Sequence, residues 1–177
     1  MRFHEKDVEV MIDEKKVQAR IAELGAQITR DYQGKELTLL VVLKGSVFFA
    51  TDLAKCIDLP LTLEFLGVSS YGGGTETTGE VRITLDATKP MAGKHLLVIE
   101  DIIDTGLTMS FLLENLRSRH PASVKVASLL EKPSRARTKV PIDYKGFVID
   151  DVFVVGYGLD FAEKYRNLPF IGVMKGK

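Results

Sequence analysis

The sequence predicts an α/β fold in which a mostly parallel central sheet is flanked by helices. Short apolar runs suit buried strands, and several are followed by a turn and then by apolar residues at helical spacing. This alternation of strand and helix is typical of a parallel sheet. Neither a repeat nor a break in composition divides the 177 residues, so we predict a single domain over residues 1–177.

The amino-terminal third predicts two helices with a buried strand between them. The first helix begins at an Asp13 cap and ends near Tyr32. Its apolar stripe repeats at intervals of four, three and four residues, through Val17, Ile21, Leu24 and Ile28. Residues 37–43 predict a strand that leads through Lys44-Gly45-Ser46 into the second helix. Cys56 continues the apolar pattern of that helix, so we expect a small core residue there.

Further strands are predicted on both sides of a glycine- and threonine-rich loop at residues 69–80. These strands occupy residues 61–68, 81–85, 124–130, 146–149 and 152–155. The composition of the loop predicts flexibility. Either it is a disordered hairpin tip, or it is a lid that closes over a reaction site.

The stretch at residues 95–110, HLLVIEDIIDTGLTMS, organises the chain. A buried strand at residues 96–99 is followed by three acids within five residues, Glu100, Asp101 and Asp104. A turn over residues 105–108 then leads into a helix that His120-Pro121 should end. His95 precedes the strand on the side away from the acids, so we expect it to be structural.

This order of residues suits a phosphorylated sugar. Free N–H groups and a partial positive charge make a helix N-terminus an anion site, and Gly106 lets the backbone come close to the anion. The acids would repel a bare phosphate, so they should accept hydrogen bonds from sugar hydroxyls, bind a divalent cation or take a proton. A single acid here would more often be a helix cap. Three together need a cation or ligand to offset their repulsion.

Composition excludes several other classes of protein. The formal net charge is zero, which gives no global attraction to nucleic acid or an anionic membrane. One cysteine rules out an internal disulfide and a cysteine-based zinc site. No stretch approaches the roughly 20 apolar residues that span a bilayer, and the N-terminus lacks an apolar signal core. We therefore expect a cytoplasmic protein without membrane or nucleic-acid partners.

The segment VIEDIIDTGLTM resembles the phosphoribosyl pyrophosphate signature of the type I phosphoribosyltransferases, in detail their hypoxanthine-guanine branch. The resemblance implies the type I phosphoribosyltransferase fold with a small C-terminal hood. It also implies transfer of a phosphoribosyl group from phosphoribosyl pyrophosphate to a 6-oxopurine, giving IMP or GMP and pyrophosphate in purine salvage. Mg²⁺ is the implied cofactor, and we expect a homodimer or homotetramer.

The resemblance assigns roles to the central stretch. It implies that Asp104 is the catalytic base for the purine's N7 proton. The phosphoribosyl group would be bound by Glu100, Asp101, Asp104, Thr105, Gly106, Leu107 and Thr108. Some family members have lysine in place of Leu107. Glu100, Asp101 and Asp160 are the implied metal ligands.

Other segments match the family's remaining motifs. Lys44 and Gly45 (in LKGS) and Arg166 would contact pyrophosphate, with a cis peptide bond expected at Lys44–Gly45. The purine would be bound by Lys132, Phe153, Val154 and Asp160. Without the family, Lys132 could equally be a solvated charge, and a core position is the commoner fate for Phe153. Ser70 and Tyr71 match a Ser-Tyr pair in the flexible catalytic loop.

Two rival functions are considered. The triplet Asp104-Thr105-Gly106 resembles that of aspartic proteases, which need two such aspartates and a β-rich fold. A non-catalytic regulator of the same fold could instead sense phosphoribosyl pyrophosphate and bind RNA or a protein. Its only candidate basic stripe is Arg135, Arg137 and Lys139. The choice among hypoxanthine, guanine and xanthine does not follow from side-chain identity.

Overall fold

The computed structural model describes residues 7–70 and 81–176, and each of its three α-helices lies between two strands, as predicted. The helices are α1 (Glu14–Asp31), α2 (Val47–Lys55) and α3 (Leu107–Arg117). The strands are β1 (Val8–Ile12), β2 (Leu37–Leu43), β3 (Leu61–Ser70), β4 (Val81–Leu85), β5 (His95–Ile103), β6 (Ser123–Glu131), β7 (Tyr144–Val148), β8 (Val154–Val155) and β9 (Ile171–Met174). A short 3-10 turn, Pro133–Arg135, follows β6.

A six-stranded sheet in the order β4-β3-β2-β5-β6-β7 forms the centre of the molecule. Every neighbouring pair is parallel except β3 and β4, which confirms the predicted α/β class. Because β2, β5 and β6 run in the same direction, their carboxyl ends meet at one edge of the sheet. In open α/β sheets this edge is where ligands bind.

Helices cover both faces of this sheet, so its central strands are buried on both sides. Leu39 and Val41 of β2 pack with α1 and α2, whereas Leu40 and Val42 pack with α3. The predicted stripe of α1 is fully buried, and the side chain of Asp13 accepts a hydrogen bond from Lys16 N (2.9 Å), as expected for its cap. Burial of one such leucine contributes about 1.5–3 kcal/mol, which makes the centre of the sheet a rigid platform.

A second, three-stranded antiparallel sheet forms the hood, in the order β1-β9-β8. The edge strand β1 comes from the N-terminal segment, for which the sequence predicts neither helix nor strand. Val8 of β1 packs with Val155, Phe170 and Met174 in a separate apolar cluster. Ile12, Val154 and Ile171 join the main core beside α1, so the hood is attached to the platform through apolar contacts.

Two expectations about helices are wrong. Cys56 is exposed rather than buried, because it caps the carboxyl end of α2 and lies past the packed face. The third helix ends at Arg117, earlier than His120-Pro121, and further turns connect it to β6. In the described part of the chain, the structure has no helix that combines the length and the apolarity needed to cross a membrane.

Candidate active site

Strand β5 carries two of the three acids inside the sheet. The predicted strand stops at Ile99, but Ile102 and Ile103 still pair with Leu130 and Glu131 of β6. Glu100 and Asp101 therefore belong to the strand, and Asp104 lies in the turn beyond it. The sheet ladder fixes the backbone of the acids, so their side chains are held at the ligand edge.

Glu100 and Asp101 are two carboxylates in a poorly solvated place. Burial raises the pKa of Glu100 well above its usual value, and the like charge of Asp101 adds to the effect. Burial also raises the pKa of Asp101, although a hydrogen bond from Glu100, a backbone N–H bond from Ile102 and the attraction of Arg166 partly offset it. The pair therefore favours any ligand that brings positive charge or hydrogen-bond donors.

The donor set of this pair fits Mg²⁺ bound together with a substrate. Over residues 7–70 and 81–176, no group of three or more His, Cys, Asp or Glu side chains could hold a metal ion. The implied set of Glu100, Asp101 and Asp160 therefore does not form a preassembled cage. Mg²⁺ commonly binds through one or two carboxylates, with waters and substrate phosphates as its other ligands. Two adjacent carboxylates suit that mode.

The turn after β5 places the N-terminus of α3 at the same edge. Gly106 has φ +78° and caps α3, and a Cβ there would overlap the carbonyl oxygen of Thr138. Thr105 O accepts hydrogen bonds from the backbone N–H groups of Arg137 and Thr138, both at 3.0 Å. These two hydrogen bonds hold the loop against residues 137–138. A cavity of about 90 Å³ opens between this loop, Glu100 and Asp104.

Three segments meet where β2 ends. A Cβ on Gly45 would overlap Oδ2 of Asp101, and a Cβ on Gly158 would overlap the carbonyl oxygen of Gly45. Gly158 also has φ +100°, which favours glycine. The Lys44-Gly45 turn is therefore wedged between the acidic strand and the hood. The cis peptide bond is Leu43–Lys44, so its expected position at Lys44–Gly45 is wrong: the bond lies where β2 ends, one residue earlier.

The charged groups of this junction are paired with one another. Lys44 Nζ lies 3.2 Å from Glu163 Oε2, and Arg166 Nη2 lies 2.8 Å from Asp160 Oδ1. Arg166 Nη1 also donates to Gly158 O at 2.8 Å. Its Nε is buried without a hydrogen-bond partner among the described residues. An unsatisfied guanidinium N–H beside a lysine is suited to an anion.

The hood loop that carries these groups has an unusual backbone. Four non-glycine residues in it have positive φ, between 50° and 75°: Tyr157, Ala162, Glu163 and Tyr165. Such conformations are costly and often occur at ligand-binding sites. Tyr157 is anchored by its hydroxyl, which donates to Asp52 Oδ2 at 2.5 Å. The platform thereby holds the loop in this conformation.

Asp104, the predicted base, is partly exposed and paired with an arginine. Arg135 Nε lies 2.9 Å from Asp104 Oδ1, yet in the described structure this oxygen is buried and accepts no hydrogen bond of acceptable geometry. Arg135 also approaches Asp151. Arg135 is thus engaged at the site, which weakens the predicted basic stripe of Arg135, Arg137 and Lys139. The α/β fold also excludes the aspartic protease alternative.

The predicted purine-binding residues come from the end of β6, the start of β8 and the hood loop, which carries Asp160. Lys132 follows β6, is 7% exposed, and places Nζ 3.8 Å from Asp151 Oδ1. Phe153 is 41% exposed, so the commoner fate of a core phenylalanine does not apply here. Its ring stands edge-to-face against Phe161, with centroids 5.7 Å apart, and Val154 beside it is buried. An exposed, braced ring is available to stack on a flat base.

Sequence reasoning named Arg135 only as part of a basic stripe, and it missed Asp151 and Glu163. Each is defined by a partner distant in the sequence: Asp104, Lys132 and Lys44 respectively. No spacing rule connects such residues. The predicted loop residue Tyr71 lies outside the described residues, as does the side chain of Ser70, whose backbone ends β3.

Comparisons with known proteins give a consistent result. The family described as "Phosphoribosyl transferase domain" matches residues 10–162. The chain is 51% identical over 168 residues to the hypoxanthine phosphoribosyltransferase of Haemophilus influenzae, covering 93% of this chain and 94% of that protein. It is 48% identical over 170 residues to the hypoxanthine-guanine phosphoribosyltransferase of Bacillus subtilis, covering 96% and 94%.

A solved structure extends this similarity to the fold. The crystal structure of a hypoxanthine phosphoribosyltransferase from Staphylococcus aureus superposes with a TM-score of 0.95 at 47% identity, covering 98% of this chain and 95% of that one. Some relatives are longer: the chain spans 27% of the Listeria monocytogenes protein named bifunctional protein TilS/HprT.

Proposed function

The chain belongs to the phosphoribosyl transferase family, and we propose that it transfers the phosphoribosyl group of phosphoribosyl pyrophosphate to hypoxanthine or guanine. The products are IMP or GMP and pyrophosphate, which is a purine salvage reaction. The observation that most supports this activity is the junction of the acidic end of β5, the Lys44-Gly45 turn and the hood loop. The names of the bacterial relatives support the choice of purine.

In this proposal the sugar lies along the end of β5. The 5′-phosphate is bound by backbone N–H groups and hydroxyls of residues 105–108, at the N-terminus of α3. The phosphate loop has Leu107 where some family members have lysine, so main-chain N–H groups supply most of its attraction. Glu100 and Asp101 accept hydrogen bonds from the ribose hydroxyls, which relieves the repulsion between these two half-buried carboxyls.

The reaction is a displacement at the anomeric carbon. The bond from this carbon to the pyrophosphate oxygen breaks, and its electron pair leaves with pyrophosphate. A purine nitrogen forms the new bond to the same carbon. The proton on the purine's N7 passes to the carboxylate of Asp104, which also stabilises the positive charge that develops on the base.

Charges from three segments assist the leaving group and the base. Arg166, Lys44 and the Gly45 backbone contact pyrophosphate, which would compete with Glu163 and Asp160 for the two cations. Lys132 donates to the purine's six-position oxygen, and Phe153 stacks on the ring. Backbone groups of Val154 and Asp160 complete the purine seat.

Mg²⁺ is part of the proposal as a cofactor that binds with the substrate. Glu100 and Asp101 would hold it, with Asp160 as a further candidate. When bound, it neutralises pyrophosphate and makes it a better leaving group.

One assay tests the activity. The purified protein is incubated with phosphoribosyl pyrophosphate and Mg²⁺, with hypoxanthine, guanine, xanthine, adenine or uracil in separate reactions, and nucleotide and pyrophosphate are quantified. We expect IMP and GMP with equimolar pyrophosphate. Nucleotide from uracil alone would contradict the proposed choice of base, and no nucleotide from any base would contradict the proposal and favour the non-catalytic regulator.

The proposal also covers organisation and location. All 177 residues would act as one domain. The predicted catalytic loop at residues 69–80 begins inside β3, which ends at Ser70, and the rest of it lies outside the described residues. A homodimer or homotetramer is supported by the exposed Leu63 and Phe65 on one face of β3. Cytoplasmic purine salvage agrees with the single free cysteine. Sedimentation of the full chain tests the assembly.

A further inference from the structure

Four charged side chains of alternating sign connect the proposed catalytic base to the proposed purine-binding site. They are Asp104, Arg135, Asp151 and Lys132. We propose that Arg135 is a positioning residue that covers Asp104 until a purine reaches Lys132, and that Asp151 then draws Arg135 away. The inference rests on the proposed function, because it assigns Asp104 and Lys132 their roles there.

The geometry gives Arg135 two competing partners. Its Nε lies 2.9 Å from Asp104 Oδ1, and its Nη1 lies 3.5 Å from Asp151 Oδ1. The same oxygen of Asp151 lies 3.8 Å from Lys132 Nζ. Asp151 is therefore shared by two cations, and Arg135 is shared by two carboxylates.

Arg135 and Asp104 cannot both stay as they are during the reaction. A guanidinium always carries its charge and has no acceptor, so Arg135 cannot take the purine's proton. Its Nε stands directly against the oxygen that would receive this proton. While the pair persists, Arg135 occupies this oxygen and keeps the purine's N7–H from reaching it.

A bound 6-oxopurine supplies the force that separates the pair. When Lys132 donates to the purine oxygen, Asp151 loses one of its two cations and attracts the other, Arg135, more strongly. A ligand shifts such an equilibrium by its differential interaction with the two states. The side chains of Arg135 and Asp151 are 46% and 53% exposed, so each ion pair is weak and the exchange is easy.

The test is a double-mutant cycle that reads the single-turnover rate of IMP formation. Asp151→Asn removes the alternative partner, so Arg135 stays on Asp104 and the rate falls by about fivefold, the upper range for partly exposed ion pairs. Arg135→Gln in the Asp151→Asn background uncovers Asp104, so the double variant regains most of the lost rate. A merely structural role for either residue would make the double variant slower than each single variant.

Two further substitutions in the Asp151→Asn background test whether the positive charge of Arg135 causes the defect. Arg135→Lys keeps a cation and should leave the Asp151→Asn defect in place. Lys139→Gln removes an exposed cation from the same loop and should not rescue the rate. The inference is supported if Arg135→Gln restores the rate of the Asp151→Asn variant and the other two substitutions do not. It is overturned if the double variant with Arg135→Gln is as slow as Asp151→Asn or slower. If the wild-type protein forms no IMP, the proposed function fails and this inference fails with it.

Discussion

The two ends of β5 are made by the same strand, yet their electrostatics differ. At the amino end, His95 Nδ1 and Ser123 Oγ are hydrogen-bonded at 2.8 Å. Lys94 Nζ, just before the strand, pairs with Glu36 at 2.7 Å. At the carboxyl end, Asp104 Oδ1 and Arg166 Nε are buried without hydrogen-bond partners among the described residues. The amino end also holds such an atom, Tyr32 Oη, whose ring stands edge-on to that of His95. The two ends therefore differ in charge: the atom without a partner belongs to a neutral phenol at the amino end, and to a carboxylate and a guanidinium at the carboxyl end.

Cavity size also distinguishes the two ends. An apolar cavity of about 260 Å³ lies at the amino end, beside Leu37, Leu61, Met91 and Leu96. The carboxyl end has a cavity of about 570 Å³ beside Asp104 and Lys132, another of about 620 Å³ beside Glu163 and Arg166, and the small one of about 90 Å³ at the phosphate loop. Size and charge therefore agree, because the larger cavities are lined by the charged side chains of the proposed site.

The largest expected effect on turnover comes from replacing Asp104, the proposed general base. Asp104→Asn keeps the shape of the carboxyl but cannot take a proton, so turnover should fall by about 10²–10⁴-fold, the usual contribution of a general base. Substrate binding, measured by calorimetry, should persist. His95→Gln at the opposite end of β5 is the control and should leave turnover unchanged. A loss for Asp104→Asn of less than about threefold contradicts its role.

The second-largest effect is expected at Gly45, and Gly93 near the amino end of β5 provides the comparison. Gly45→Ala forces its methyl group onto Asp101, and overpacking of about 1–3 kcal/mol should lower kcat/KM for phosphoribosyl pyrophosphate by about 5–150-fold. Gly93→Ala near the amino end has open space and φ +72°. It should cost about 1–2 kcal/mol of unfolding free energy with unchanged kinetics. Equal kinetic effects of the two variants would remove the distinction between the ends.

Phe153→Ala should have a smaller effect, confined to binding of the purine. Loss of stacking worth about 0.5–1.5 kcal/mol raises KM for hypoxanthine by about 2–12-fold. KM for phosphoribosyl pyrophosphate should not change, and Phe153→Tyr is the matched control. A large loss of thermal stability would instead show a core role, which the exposed ring argues against.

The smallest effect is on stability as a function of pH. Burial raises the pKa of Glu100 above its ordinary 4.5, so the folded state binds the proton more tightly than the unfolded state does. Glu100 therefore destabilises the unliganded protein increasingly as pH rises above about 4.5. Relative to Glu100→Gln, the melting temperature of the wild-type protein should fall with rising pH in calorimetric scans. Parallel curves for the two proteins would refute the shift.

Much of the platform was predictable because its signals are local. The cap at Asp13, the stripe of α1 and the strand β2 follow from spacing over a few residues. Strand β1 was missed because its stability comes from pairing with β9, more than 150 residues away. Cys56 was misplaced because periodicity does not show where a helix ends.

The site was predictable to a similar degree and for similar reasons. The motif around Asp104 is contiguous, so its loop and helix were recognised together. The ion pairs Lys44–Glu163 and Arg135–Asp104 join distant segments, and their geometry appears only when the chain is folded. The roles of Lys44, Lys132 and Arg166 stay predictions.

The crystal structure of the protein grown with IMP and Mg²⁺ is the most direct test of the account. We expect the 5′-phosphate against the backbone of residues 105–108, the ribose hydroxyls against Glu100 and Asp101, and the base on Phe153. A nucleotide bound instead in the apolar cavity at the amino end of the sheet, with the acids of β5 untouched, would contradict it.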